Sequence, residues 1–224
     1  MKAFYFLQID RVMAKLQERL IWLFIAIALL LSIYQGNPYW GPLYMVFGSM
    51  ILSTTPFTIS QVSNSGFLLM LPATIKDRVI GRFFYGLFLM IIALLFGGIN
   101  AILVCVIKHI ELSSVFLIFY IGIASVGLSM LSIQNTVLYI IGEFKSQQIL
   151  AVVRMIPGFL LFIMGTIVME IMEEETNTEA VFSSILWINH HLMECAILLL
   201  LIGILVFLAG IFISVQVQKK RDFA

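Results

Sequence analysis

The side chains most able to do chemistry fall in two short stretches of the C-terminal third. "HHLME" supplies His190, His191 and Glu194, and the last two would share one face of a helix. A metal centre needs three or four well-spaced donors, so this set, lacking a further ligand, reads as interfacial polar residues and no metal is expected. "MEEETN" brings Glu173, Glu174 and Glu175 together, with Glu170 and Glu179 close by, but without a basic partner at helical spacing. It reads as a solvated acidic loop. Covalent chemistry inside a bilayer would need a base beside a nucleophile, and the serines of the apolar segments have no histidine near them. No catalytic residue is expected. The pattern G-x-x-x-x-G-K-[ST] is also missing, so the chain does not carry its own P-loop ATPase.

Uncharged polar residues are the other candidates. Gly122, Ser125, Ser129, Ser132 and Thr136 recur at steps of three and four, which lines them up as one small, weakly polar seam, with Gln134 and Asn135 beside its end. Small residues let helices approach closely and hydroxyls bond across to a neighbour, so tight packing is one reading. A mildly polar wall for a translocation path is the other. Asn100 carries the same two readings, and Gly210 with Ser214 is most simply a packing pair.

The elements that must hold these residues follow from composition. The chain has 224 residues, is 62% hydrophobic and 11% charged, and carries a formal net charge of +1. Its mean hydropathy is +1.09, against soluble domains that are roughly 25% charged. It is therefore an integral membrane protein, and no basic field suggests nucleic acid. Two cysteines, Cys105 and Cys195, make no disulfide framework and are taken as free thiols. The charged start of the chain, with no small-residue cleavage site after the first apolar run, argues against a removable signal peptide.

A helix crossing a bilayer needs about 20 mostly apolar residues. Six segments approach this: Leu20 to Tyr34, Tyr39 to Ile59, Val79 to Ile107, Val115 to Ile141, Ile149 to Met169 and Ala196 to Val217. The expected fold is therefore all-α, a single membrane domain over 1–224. Twelve of the 13 lysines and arginines fall in one set of connections, and only Lys108 lies on the other side. Positive loops stay in the cytoplasm, so both termini are expected there and the acidic loop over 170–195 outside. Arg154 near the cytoplasmic end of the fifth segment is read as snorkelling, or as a partner of Glu143. Outside the spans, residues 1–19 have the two-faced rhythm of an interfacial helix, and "AVFSSILWI" (Ala180 to Ile188) suits a re-entrant or surface helix or an ordered loop.

One cytoplasmic connection interrupts the apolar chain. Ser63, Asn64, Ser65 and Gly66 form caps and turns, "FLLML" is an apolar patch too short to cross, and Pro72 turns the chain into the third span. A short in-plane helix over 63–71 is expected, followed by a basic collar of Lys76, Arg78 and Arg82 at the membrane surface. An exposed apolar patch on that side calls for a lipid or protein partner.

In "LPATIKDRVIGRFF", Leu71 and Pro72, then Lys76 and Asp77, then Val79, Gly81, Arg82 and Phe83, resemble six-span permease subunits of ATP-binding-cassette exporters of the type-two (type V exporter) class. Within that class the chain is most similar to small bacterial permeases of the kind that serve the phenol-soluble modulin peptide exporter. The resemblance covers nearly the whole chain. It implies a multi-pass protein of the bacterial plasma membrane, paired with a second permease in a homo- or heterodimer and surrounded by membrane lipids. It implies that 63–71 is a coupling helix docking on a separate ATPase through Asn64, Phe67, Leu68, Leu69, Met70 and Leu71. ATP and Mg would then be bound by that partner, with no cofactor in this chain. Related permeases often carry acidic residues just before the Leu-Pro, where this chain has Gln61, Ser63, Asn64 and Ser65. The expected function is outward movement of an amphipathic or hydrophobic cargo, above all peptide, along a path marked by Asn100, Ser125, Ser129, Ser132 and Asn135. An intramembrane enzyme acting on lipid or peptide and a non-catalytic immunity or partner protein are the alternatives.

Overall fold

The computed structural model describes residues 26–27, 29–30, 32–57, 74–110, 114–141, 147–173 and 192–222. Every regular element among them is helical: α1 (Trp40–Ser53), α2 (Ile75–Lys108), α3 (Ser114–Ile141), α4 (Gln147–Glu173) and α5 (Leu192–Asp222), preceded by helical backbone at 32–35. Three of these helices contain stretches long and apolar enough to cross a membrane, Ile75–Lys108, Phe116–Ile141 and Met193–Lys220, and a shorter apolar helix runs over Ala151–Ile167. The interfacial helix expected over 1–19, the in-plane helix over 63–71 and the surface helix over Ala180 to Ile188 lie outside the described residues.

Element boundaries differ from the expected spans for local reasons. The second span was expected to run unbroken from Tyr39 to Ile59, yet α1 stops at Ser53, Thr54 forms a turn, and helix resumes over 55–57. Pro56 has no N–H for the carbonyl of Leu52, four residues back, and in an apolar setting that carbonyl must find another donor. The hydroxyl of Thr55 donates to it at 2.7 Å. Ser49, Ser53 and Thr54 likewise donate to carbonyls three residues back on their own helix, so this polar cluster makes no demand on its neighbours.

Helix α2 starts at Ile75 rather than Val79 because Thr74 and Asp77 cap it reciprocally. Thr74 Oγ1 accepts from the Asp77 N–H at 3.2 Å, and the Asp77 carboxylate accepts from the Thr74 N–H at 3.4 Å. Asp77 also places negative charge on the positive end of the helix dipole. At its other end α2 is closed by His109 in the left-handed region (φ 54°), which lets Ile110 N–H donate to the Cys105 carbonyl at 3.0 Å. Helices α4 and α5 extend past their expected spans, into both ends of the loop expected over 170–195.

Helix α3 is the hub. Its Phe119, Ile123, Leu128, Leu131, Leu138 and Tyr139 share one core with Leu43, Val46 and Met50 of α1, Val79, Phe83 and Met90 of α2, Leu161 of α4 and Phe207 and Val215 of α5. Helix α5 rests chiefly on α3, and α1 chiefly on α2. The remaining faces of α2, α4 and α5 expose long runs of Leu, Ile and Phe, as helices surrounded by hydrocarbon must.

Candidate functional site

At the start of α2 the expected basic collar divides by depth. Lys76 is exposed and Arg78 half-buried, whereas Arg82 is buried, with its guanidinium carbon 4.4 Å from the centre of the Phe57 ring. A guanidinium over an aromatic face gains about 0.5–2 kcal/mol, more as water is withdrawn. Phe57 stands edge-on to Tyr139 with ring centres 5.1 Å apart, and Phe83 meets Phe207 edge-on at 5.5 Å. Phe83 also stacks on Tyr139 at 6.4 Å. Arg82 is thereby wedged into an aromatic cluster that ties the tail of α1, the start of α2, the end of α3 and the middle of α5 together. The basic character of this end of α2 is partly a structural clamp.

The seam on α3 meets a matching seam on α5. A Cβ added to Gly203 would fall 2.8 Å from the carbonyl oxygen of Ser125, and one added to Gly210 would strike the hydroxyls of Ser132 and Thr136. Ser132 donates across the contact to the carbonyl of Val206 at 2.9 Å. Ser125, Ser129 and Thr136 instead donate to carbonyls four residues back on α3. Gly210 thus packs as its sequence suggests, and Gly203 is a further contact that the serine spacing did not reveal. Gly122 behaves differently, for an added Cβ there would meet nothing within 4 Å. The geometric seam therefore begins at Ser125.

Asn100 is held elsewhere in the bundle. It is buried, accepts from the Ser32 hydroxyl at 2.6 Å and donates to the Leu29 carbonyl at 3.4 Å. Its side chain also fills the space where a Cβ on Gly41 would lie, and one turn back Gly97 brings α2 within 2.7 Å of the Pro42 Cα, measured from an added Cβ. Asn100 thus fastens the segment before α1 to α2. Side-chain hydrogen bonds between membrane helices average about 0.6 kcal/mol and reach about 1.7. In a double-mutant cycle, Asn100→Ala and Ser32→Ala are expected to destabilise the purified protein less than additively, with coupling in that range, read from thermal midpoints.

Gln134 and Asn135 are both fully buried near the end of α3. Lys108 lies with its stem across Gly36, whose positive φ of 73° turns the chain toward α1. Cys105 and Cys195 are both free thiols. Glu194 is exposed, and no group of three metal-ligating side chains occurs among the described residues. His190, His191 and the residues expected to dock the ATPase, Asn64 and Phe67 to Leu71, lie outside them, as do Glu143 and the Arg154 side chain.

Among the described residues, the buried polar side chains are hydroxyls and amides apart from Arg82, near the start of α2. Groups of this kind pack helices against one another, and no carboxylate or histidine is buried among the described residues. Among known families, the model described as ABC-2 family transporter protein matches residues 11–219. No curated protein and no solved structure matches the chain.

Proposed function

We propose, from the premise that the chain belongs to the ABC-2 transporter family, that it is the membrane permease of an exporter driven by a separate ATPase. The match over residues 11–219 carries this reading, since it spans nearly the whole of the sequence. The described interior supports it, because no carboxylate or histidine is buried among the described residues and ion-coupled transporters ordinarily mark their path with such groups. In this reading six spans cross the bacterial plasma membrane with both termini inside. Two permeases, alike or different, flank the path, and two partner ATPases bind ATP and Mg.

The partner's handle is the segment 63–71, whose apolar patch of Phe67, Leu68, Met70 and Leu71 is too short to cross and carries no charge. The cargo is an amphipathic or hydrophobic peptide, in keeping with the apolar interior and the likeness to peptide-exporting permeases. Asn100, Ser125 and Ser132 serve helix packing, while Ser129, half-buried on the same seam, reaches the path.

The test is co-purification. The full chain, expressed in its native host and extracted in mild detergent, is expected to bring a P-loop ATPase down in equal amount. If the permease emerges folded and alone, the reading fails.

A further inference from the structure

Two buried polar side chains on adjacent helices lack a hydrogen-bond partner. Asn135 of α3 is fully buried, and neither its amide nitrogen nor its amide oxygen meets one among the protein's atoms. The hydroxyl of Ser214 on α5, also fully buried, is in the same position. The neighbouring hydroxyls of Ser125, Ser129, Ser132 and Thr136 all find carbonyls. Buried polar groups without partners are uncommon and costly, so two of them close together call for an explanation.

Their placement supplies one. Gly203 meets Ser125 and Gly210 meets Ser132, with the same offset between the two helices. Ser214, four residues beyond Gly210, is therefore level with Thr136, four beyond Ser132, and one position along α3 from Asn135. Successive residues differ by about 100° around a helix, so Asn135 stands beside the α5-facing seam rather than on it. A partial turn of α3 toward α5 would carry its amide to the Ser214 hydroxyl, and one hydrogen bond would answer both unmet groups.

We infer that Asn135 and Ser214 form a conformational latch, open in the conformation described here and closed in a second one that α3 reaches by turning toward α5. The inference rests on the permease reading, since alternating access requires two conformations. A bond made in only one of them shifts the balance toward that state by its differential energy. The unmet pair keeps the open conformation from being too stable to leave.

The test uses the complex of permease and ATPase in lipid nanodiscs, with Cys105→Ala and Cys195→Ala removing the native thiols. Two double variants, N135C with S214C and T136C with S214C, are oxidised with and without ATP and vanadate. Without nucleotide the 136/214 pair is expected to close faster, by at least about fivefold, and with ATP and vanadate the order is expected to reverse. An order that nucleotide leaves unchanged overturns the latch. As a second measure, N135L is expected to raise the thermal midpoint of the nucleotide-free complex while lowering its ATP hydrolysis at least about fivefold, because the open state loses its unmet group and the closed state its bond. Unaltered hydrolysis also overturns it. If no ATPase accompanies the permease, the functional reading falls and the latch with it, whereas an active complex with fixed cross-linking removes the latch alone.

Discussion

Replacing Gly203 by leucine is expected to part α5 from the rest of the bundle. The nearest atoms to an added Cβ are backbone, the Ser125 oxygen at 2.8 Å and the Ser125 Cα at 3.4 Å, so no side chain can rotate away to make room. One helix must move, and the move breaks the bond from Ser132 to the Val206 carbonyl and opens the contact at Gly210. Helix association in a bilayer depends on such close packing, because lipid chains are as apolar as the side chains they would replace. Overpacking ordinarily costs about 1–3 kcal/mol, and a clash with backbone belongs at or above the top of that range. For a chain of this size about 3 kcal/mol corresponds to a fall in midpoint of roughly 10 °C.

Gly122→Leu is the control, on the same face of α3 but with open space around its Cβ position. It is expected to stay within about 0.5 kcal/mol of the parent. The measurement is the yield of monodisperse protein together with the thermal midpoint of the two variants side by side. Equal damage from both would remove the packing account of the seam, because steric room is what separates the two sites.

This comparison also shows what the sequence could and could not disclose. The run of Ser125, Ser129, Ser132 and Thr136 is legible because small polar residues at steps of three and four stand out against Leu and Ile. Gly203 is not, since a lone glycine inside "LLLLIGILVF" has no local partner, and its meaning lies in the seven-residue repeat with Gly210 matching that of Ser125 with Ser132. The expected spans pass over two local signals, running the second through Pro56 to Ile59 and starting the third at Val79, where the structure ends α1 at Ser53 and caps α2 with Thr74 and Asp77. Asn100 could be marked as costly, but its partner Ser32 is 68 residues away, and nothing in the spacing connects them. Arg82 misleads for a similar reason. A basic residue near a span end ordinarily reaches for water, and only the fold places the Phe57 ring where the guanidinium can stay inside.

Changing Phe67 and Leu68 together to aspartate is expected to abolish association with the ATPase while leaving the bundle intact. The case rests on the chemistry of the segment, since "FLLML" offers only apolar surface and the polar residues before it, Ser63, Asn64 and Ser65, are uncharged. Docking through such a patch depends on withdrawing it from water, and a few large apolar anchors carry most of the binding energy in an interface of this kind. Two carboxylates placed there would have to be buried without partners, at a cost of several kcal/mol. A loss of about 3 kcal/mol is more than a hundredfold in affinity, enough to empty a pull-down. Because 63–71 lies between the second and third expected spans and belongs to neither, the double variant is expected to insert, run as a monodisperse peak and keep the parent's midpoint. Retention of the ATPase by that intact variant would take the docking role away from Phe67 and Leu68, and the search for the contact would move to the other cytoplasmic connection and the N-terminal segment.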